Sequence, residues 1–327
     1  MLMLYSCLGG LQAQKAPAFF LQSNPFSHTY SIVARDPETG DMGVAVQSHW
    51  FSVGSDVTWG EAGVGVVATQ SFVNPAFGPE GLALLKKGYT ARQALDSLLA
   101  ADEGRDVRQV AIVDAHGNVA AHTGQNCIAE AGHTTGNGYS AQANLMEKNT
   151  VWGAMAQAFE HTQKSPLAER LLAALEAAQQ QGGDIRGQQS AALLIVKGQS
   201  SGKVWQDRLI ELRVEDHQQP VAELKRLLKI HRAYEQMNQG DMAIEKGRVG
   251  EAMEHYSNAD KLMPDNEEMM YWRGITLVGN NKIEEAIPLF KKVFKKNKKW
   301  RTLTPRLVKA GLLPNNEQLI RRIISIK

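Results

Sequence analysis

His28-Thr29-Tyr30-Ser31-Ile32-Val33-Ala34-Arg35-Asp36 opens the first strong β-pattern of the chain. β-branched and aromatic residues favour strands. The turn-rich Asp36-Pro37-Glu38-Thr39-Gly40 leads into a second apolar run at 42–48, so the two runs read as a hairpin. Thr29 therefore stands at the start of a strand. A threonine hydroxyl is a weak nucleophile until a base takes its proton. If the chain is cut before Thr29, its own α-amine becomes that base, with a reference pKa of about 7.7–8.0 against about 10.4 for lysine. An amine in that range is partly neutral at physiological pH, where a general base works best. Without the cut, Thr29 is an ordinary strand-edge residue.

Working outward, residues 64–70 form another strand after the tight Gly60-Glu61-Ala62-Gly63. Helices are expected at 79–87 and at 91–101, the latter with Thr90 as N-cap. A second hairpin joins 108–113 to 119–123, and a glycine-rich loop, 132–138, precedes a strand at 139–145. Helices at 151–161 and 166–181 stop at Gly182-Gly183, and strands at 191–196 and 208–214 close the region. Strands and helices segregated into blocks argue for an α+β fold. Two antiparallel sheets, each covered by a helix pair, would bury every apolar face. That four-layer αββα sandwich is the architecture of the N-terminal-nucleophile hydrolases.

The C-terminal part repeats itself. Gly240, Ala252, Tyr256 and Pro264 are followed 34 residues later by Gly274, Ala286, Phe290 and Lys298, so three of four signature positions recur. A 34-residue helix-turn-helix period with these residues is the tetratricopeptide pattern, and about three units are needed for an independent array. A helix at 220–237 and the tail 303–326 are expected to cap the two units. The expected organisation is a signal at 1–14, a spacer or pro-segment at 15–28, the αββα domain at 29–218 and an all-α tetratricopeptide-type domain at 219–327.

The formal net charge of +2 conceals an asymmetry. Residues 221–327 hold 21 Lys+Arg and 13 Asp+Glu, against 15 and 21 in the remainder of the sequence. Two domains with different surfaces follow. Neither half carries a nucleic-acid signature. The apolar start with Leu11-Gln12-Ala13-Gln14 resembles an export signal without its usual basic residue, since Lys15 is the first. The expectation is a periplasmic or secreted protein with no membrane span after the signal. Removal of the signal takes Cys7 and leaves Cys127 as the one cysteine, so no internal disulfide forms.

Seven segments carry a family resemblance: Thr29-Tyr30-Ser31-Ile32-Val33-Ala34-Arg35-Asp36-Pro37, Gly43-Val44-Ala45-Val46-Gln47-Ser48, Gly63-Val64-Gly65-Val66-Val67-Ala68-Thr69-Gln70, Asn74-Pro75-Ala76-Phe77-Gly78-Pro79, Ala121-His122-Thr123-Gly124, Gly138-Tyr139-Ser140-Ala141-Gln142-Ala143-Asn144 and Gly183-Asp184-Ile185-Arg186-Gly187-Gln188-Gln189-Ser190-Ala191. Together they resemble the bacterial domain-of-unknown-function family 1028, regarded as N-terminal-nucleophile-hydrolase-like, over residues 29–214. In members the equivalent of Thr29 often follows the initiator methionine or a signal directly. This chain departs from that pattern, because residues 15–28 intervene. Activity through Thr29 therefore requires a second cut at His28–Thr29.

The expected catalytic pair is Thr29 as nucleophile and Asn144 as oxyanion donor, with Gln142 the second choice; Asn144 equally holds its own loop together. One oxyanion donor is worth about 10²–10³ in rate. No lysine occurs between Lys15 and Lys86, which disfavours a lysine-assisted mechanism and favours the α-amine. Asp184 and Arg186 suit a substrate carboxylate and amine, or pair as a salt bridge that pins their loop. Gln47, Ser48, Thr69 and Gln70 end strands beside the first and are candidates to line the same cleft. His49, His116, His122 and His133 match no zinc signature, and no metal or cofactor is expected. The glycine-rich 132–138 lacks the lysine of a phosphate loop. The basic run 291–299 solvates a helix end or meets an acidic partner. The functional expectation is an exported amidohydrolase acting on a small amide or peptide bond, with the repeats binding a protein or peptide and self-association possible. The alternative is a non-catalytic scaffold acting through the repeats.

Overall fold

The computed structural model describes residues 26–327; the expected signal and most of the spacer lie outside the described residues. The chain divides into two compact units, with the division between Lys225 and Arg226.

The first unit is mixed α/β. Its strands are β1 (Phe26–Ser27), β2 (Thr29–Arg35), β3 (Met42–Ser48), β4 (Thr58–Glu61), β5 (Gly65–Phe72), β6 (Arg108–Asp114), β7 (Val119–Thr123), β8 (Gly132–Gly136), β9 (Tyr139–Ala143), β10 (Ser190–Val196) and β11 (Arg208–Val214). Its helices are α1 (Gly54–Val57), α2 (Phe77–Lys86), α3 (Ala91–Ala101), α4 (Val151–His161), α5 (Leu167–Gln180) and α6 (Val204–Asp207). One sheet runs β11-β10-β3-β2-β9-β8; the other runs β1-β5-β6-β7, with β4 also paired to β5. Every pairing within these sheets is antiparallel.

The period-2 alternation of strands sorts their side chains. Val33, Val44, Val46, Ala192 and Leu194 of the first sheet meet Val66, Ala68, Ala111 and Val113 of the second in one buried cluster. The opposite face of the second sheet, with Val67, Val110, Ile112 and Ala120, packs on Leu82, Leu85, Leu95 and Leu98 of α2 and α3. Helix α5 packs against β2 and β3, and α4 against β8 and β9. Thr90 caps α3 in a full capping box with Gln93, so the start of that helix is fixed locally.

Two features differ from the sequence expectation. The glycine-rich stretch 132–138 is not a loop: Gly132–Gly136 is an edge strand in register with β9, Gly132 opposite Ala143 and Gly136 opposite Tyr139. Its glycines answer to close approach. A Cβ on Gly136 would stand 2.2 Å from the Tyr139 ring, and one on Gly132 would stand 2.6 Å from Trp152. Strand β4 also forms where only a turn was expected, and it adds to β5.

The second unit is helical. Helix α7 (Pro220–Glu245) runs across the boundary between the units, followed by α8 (Val249–Leu262), α9 (Glu267–Gly279), α10 (Ile283–Lys296), α11 (Lys299–Leu303), a 3₁₀ turn at Thr304–Leu307 and α12 (Glu317–Ile324). Asn266 and Asn316 cap α9 and α12 by accepting from the N–H groups of Met269 and Leu319. Tyr271, Phe290 and Phe294 anchor the core, with Phe290 and Phe294 stacked 5.5 Å apart. Ala252, Tyr256 and Ala259 anchor a smaller cluster beside it. A Cβ on Gly240 would meet the Tyr256 ring at 2.4 Å, and one on Gly274 would meet the Phe290 ring at 2.9 Å. The same glycine-on-aromatic contact thus recurs at the sequence period. Among the described residues no helix is long and apolar enough to cross a membrane.

Candidate functional site

Thr29 begins β2 and is fully buried. Register places it opposite Ser48 of β3, while Ser31, two residues on and on the same face, stands opposite Gln142 of β9. That face looks toward the second sheet, where Gln70 of β5 is paired with Gln109 of β6. Four strands therefore bring polar side chains into the space between the sheets, and Ser31, Gln70, Gln109, Gln142 and Asn144 are all fully buried.

They satisfy one another. Ser140 Oγ donates to Gln142 Oε1 at 2.8 Å, and Gln142 Nε2 donates to Ser31 Oγ at 2.7 Å. Ser31 Oγ donates to Gln70 Oε1 at 2.5 Å, and Gln70 Nε2 donates to Gln109 Oε1 at 2.6 Å. Gln109 Nε2 faces the Ala143 carbonyl at 2.9 Å, Thr123 Oγ1 at 2.9 Å and the Gly132 carbonyl at 3.2 Å. Buried polar groups cost little only when partnered in this way.

The network closes on the two peptide groups that flank Thr29. On the C-terminal side, the Thr29 carbonyl accepts from Gln70 Nε2 at 3.1 Å, from the Asn144 backbone N–H at 3.1 Å and from Asn144 Nδ2 at 3.3 Å. Asn144 Nδ2 also donates to Gln109 Oε1 at 2.9 Å. On the N-terminal side, the His28 carbonyl accepts from Ser48 Oγ at 2.6 Å and from Arg186 Nη2 at 2.8 Å. A hydroxyl and a guanidinium thus both aim at the oxygen of the peptide bond that precedes Thr29.

Arg186 is itself held. Its backbone N–H, Nε and Nη2 donate to the Asp184 carboxylate at 2.9, 3.0 and 2.7 Å. The Asp184 carboxylate is fully buried and also accepts from the His49 backbone N–H at 3.3 Å. The fork geometry of guanidinium on carboxylate fixes the Arg186 head, so it reaches His28 as a positioned donor. His28 is nearly buried, with its Nδ1 2.9 Å from Asn144 Oδ1 and its ring edge-on to Phe72 at a centroid distance of 5.2 Å. Burial pulls the imidazole below its usual range, against the opposing pull of the Asn144 hydrogen bond. Tyr30, on the other face of β2, is pushed well above the usual phenol range by burial and then by the Asp184 charge.

Most of the residues expected at the site converge here: Thr29, Ser48, Gln70, Gln142, Asn144, Asp184 and Arg186. Asn144 and Gln142 do so through bonds to Thr29 and Ser31 rather than to the His28 carbonyl. Asp184 and Arg186 pair with each other. Gln47 and Thr69 do not join the set, because each is one residue out of phase with an inward neighbour. Thr69 Oγ1 donates to the Asn74 carbonyl at 3.2 Å. Gln47 lies opposite Tyr30, and neither of its amide atoms has a partner among the described residues. Ser31, Gln109 and His28 went unrecognised in the sequence. The available signal was a polar residue on the inward phase of an apolar strand, as in Arg108-Gln109-Val110-Ala111-Ile112. Among the described residues no group of three or more His, Cys, Asp or Glu is placed to hold a metal ion.

The chain resembles a crystal structure of the protein SPO2555 from Silicibacter pomeroyi, itself assigned to the DUF1028 family model. The two are 33% identical with a TM-score of 0.56, over 62% of this chain and 88% of the other. No curated protein matches the chain. The family model described as "Family of unknown function (DUF1028)" matches residues 29–224. Its match begins at Thr29 itself and takes in every strand from β2 to β11, and the chain belongs to the DUF1028 family.

Proposed function

We propose that the protein is an exported amidohydrolase in which Thr29, once released from His28, attacks a small amide or peptide bond. The observation that carries this reading is the paired grip of Ser48 Oγ and Arg186 Nη2 on the His28 carbonyl, at 2.6 and 2.8 Å. Those donors suit an oxyanion at that position. Attack of Thr29 Oγ1 on the His28 carbonyl carbon forms a C–O bond and places negative charge on this oxygen. Collapse breaks the C–N bond, and the hydroxyl proton passes to the leaving α-amine, giving an ester. Water then attacks the same carbon, the C–O bond breaks, the oxygen of Thr29 regains a proton and the upstream segment leaves as a carboxylate. The freed α-amine is the general base for later turnovers.

Burial agrees with the order of events. Thr29 is sealed in the uncut chain, and the described residues before it are tied down by the contacts of His28 and by the two residue pairs of β1 on β5. Release of that short edge strand would open the site. In this reading Thr29 is the nucleophile, Ser48 and Arg186 stabilise the oxyanion, and Asn144 and Gln70 position Thr29 through its own carbonyl. The two facing sheets and their helix pairs are read as the αββα sandwich of the N-terminal-nucleophile hydrolases, and α7–α10 as tetratricopeptide repeats that bind a protein or peptide.

Intact mass and N-terminal sequence of protein from its native host test this directly. The expected wild-type terminus is Thr29. Thr29→Ala is expected to keep its upstream residues and to lose amide hydrolysis by at least about 10³-fold, the scale of losing a nucleophile. Identical upstream termini in both proteins would sink the enzyme. One observation favours the second reading, a non-catalytic scaffold: the glycine-on-aromatic contacts of Gly240 with Tyr256 and Gly274 with Phe290 repeat as tetratricopeptide packing requires. An uncut wild-type chain with no amide hydrolysis moves the function to that surface.

A further inference from the structure

We infer that residues 26–28 mark the acyl-side subsites, so that the substrate is a peptide that lies along β5 and presents histidine, or another planar side chain with an N–H donor, at the scissile carbonyl. This rests on the amidohydrolase reading above. The ester formed when Thr29 Oγ1 takes the His28 acyl group and the ester formed from a substrate are the same linkage on the same oxygen. The acyl residue of the substrate therefore occupies the volume that His28 holds before the cut, and its carbonyl meets Ser48 and Arg186.

That volume has specific chemistry. The Asn144 amide cannot rotate freely, because Nδ2 is committed to Gln109 Oε1 and the Thr29 carbonyl. Its Oδ1 therefore faces His28 as an acceptor, which makes His28 Nδ1 the donor. The lowered imidazole pKa agrees with a neutral ring carrying one N–H. Phe72 meets the ring edge-to-face, at an interplanar angle of 87°. An aliphatic side chain leaves Asn144 Oδ1 buried without that donor, and a carboxylate opposes it. Sites built around such a hydrogen bond discriminate strongly against analogues that lack it.

The residues before His28 supply the direction. Phe26 pairs with Phe72 and Ser27 with Ser71, antiparallel, so residues 26–27 add as a short strand to β5. Main-chain pairing of this kind is a general way to bind an extended peptide. The released segment vacates that edge for the acyl side of a substrate.

The test uses protein whose N-terminus has been sequenced as Thr29 and three coumarin amides: acetyl-Phe-Ser-His, acetyl-Phe-Ser-Leu and acetyl-His. The expected kcat/KM for Phe-Ser-His exceeds that for Phe-Ser-Leu by at least tenfold, and the truncated acetyl-His amide is slower than Phe-Ser-His. In cis, His28→Asn is expected to process at the wild-type rate within about threefold, and His28→Leu at least tenfold slower, both followed by intact mass. Equal turnover of the Leu and His peptides, or undiminished processing of His28→Leu, overturns the subsite while leaving the amidohydrolase standing. Absence of both processing and amide hydrolysis overturns the amidohydrolase, and the subsite falls with it.

Discussion

Gln109→Met is the substitution that weighs the buried network most directly. Methionine nearly matches glutamine in shape, so the change removes hydrogen bonds while leaving little cavity. Five contacts disappear: two acceptances, from Gln70 Nε2 and Asn144 Nδ2, and three donor contacts, to Ala143, Thr123 and Gly132. A neutral hydrogen bond contributes about 0.5–1.5 kcal/mol net. Several former partners keep another bond, since Gln70 and Asn144 still reach the Thr29 carbonyl and Thr123 still reaches His133. The lower half of that range therefore applies; the two N–H groups of Gln109 share three acceptors, so the equivalent of four bonds gives about 2–4 kcal/mol. For a unit of this size each kcal/mol moves the melting temperature by about 2–4 °C, so a drop of about 4–16 °C is expected. Urea denaturation, followed by circular dichroism and by tryptophan fluorescence, reads the loss as a lower midpoint at unchanged slope. Thr69→Val is the control. Thr69 is equally buried but outside the network, with its one hydroxyl bond to the Asn74 carbonyl, and about 1 kcal/mol is expected. A Gln109→Met loss under about 0.5 kcal/mol would show that the network adds nothing to stability, and the reasoning would fail.

Two other outcomes follow from the same geometry. In the uncut Thr29→Ala chain, His28 has a lowered imidazole pKa in the folded state, so its contribution to stability is present above the unfolded value of about 6.5 and is lost as pH falls through the folded value. The urea midpoint should fall more steeply below about pH 6.5 than in the Thr29→Ala/His28→Asn double variant, and parallel pH profiles would refute the assignment. Gly274→Ala places a Cβ against the Phe290 ring at 2.9 Å, in a core that has little room to yield. A loss of about 1–3 kcal/mol is expected by thermal melting, and an unchanged melt would refute the close packing of α9 on α10.

Local pattern carried much of this molecule because local physics made its elements. Alternating apolar residues marked β2, β3, β6 and β7 to within a residue or so, and the Thr90 capping box set the start of α3. The recurrence of Gly240 and Tyr256 at Gly274 and Phe290 was legible too, because a glycine under an aromatic ring is a contact between neighbouring helices. The position of Thr29 at a strand start is likewise set by local pattern. Strand β8 was not legible, since its glycines read as a loop until Trp152 and Tyr139 were seen to require them. Nor was the parity that turns Gln70 inward and Thr69 outward, because two polar neighbours at a strand end look equivalent until register assigns their faces.

The sequence by itself determined most of the strands and helices, β4 and β8 excepted, and that a threonine heads the first long strand. Only the tertiary structure decided what surrounds that threonine. Ser48 lies 20 residues from His28 and Arg186 lies 158 residues away, yet both reach the same carbonyl oxygen. Gln109 had no local role to reveal it, since its partners come from β5, β7, β8, β9 and Asn144. Periodicity acts over a few residues and so can be read along the chain. Hydrogen bonding between sheets depends on which strands become neighbours and in what register, and only the folded chain fixes those.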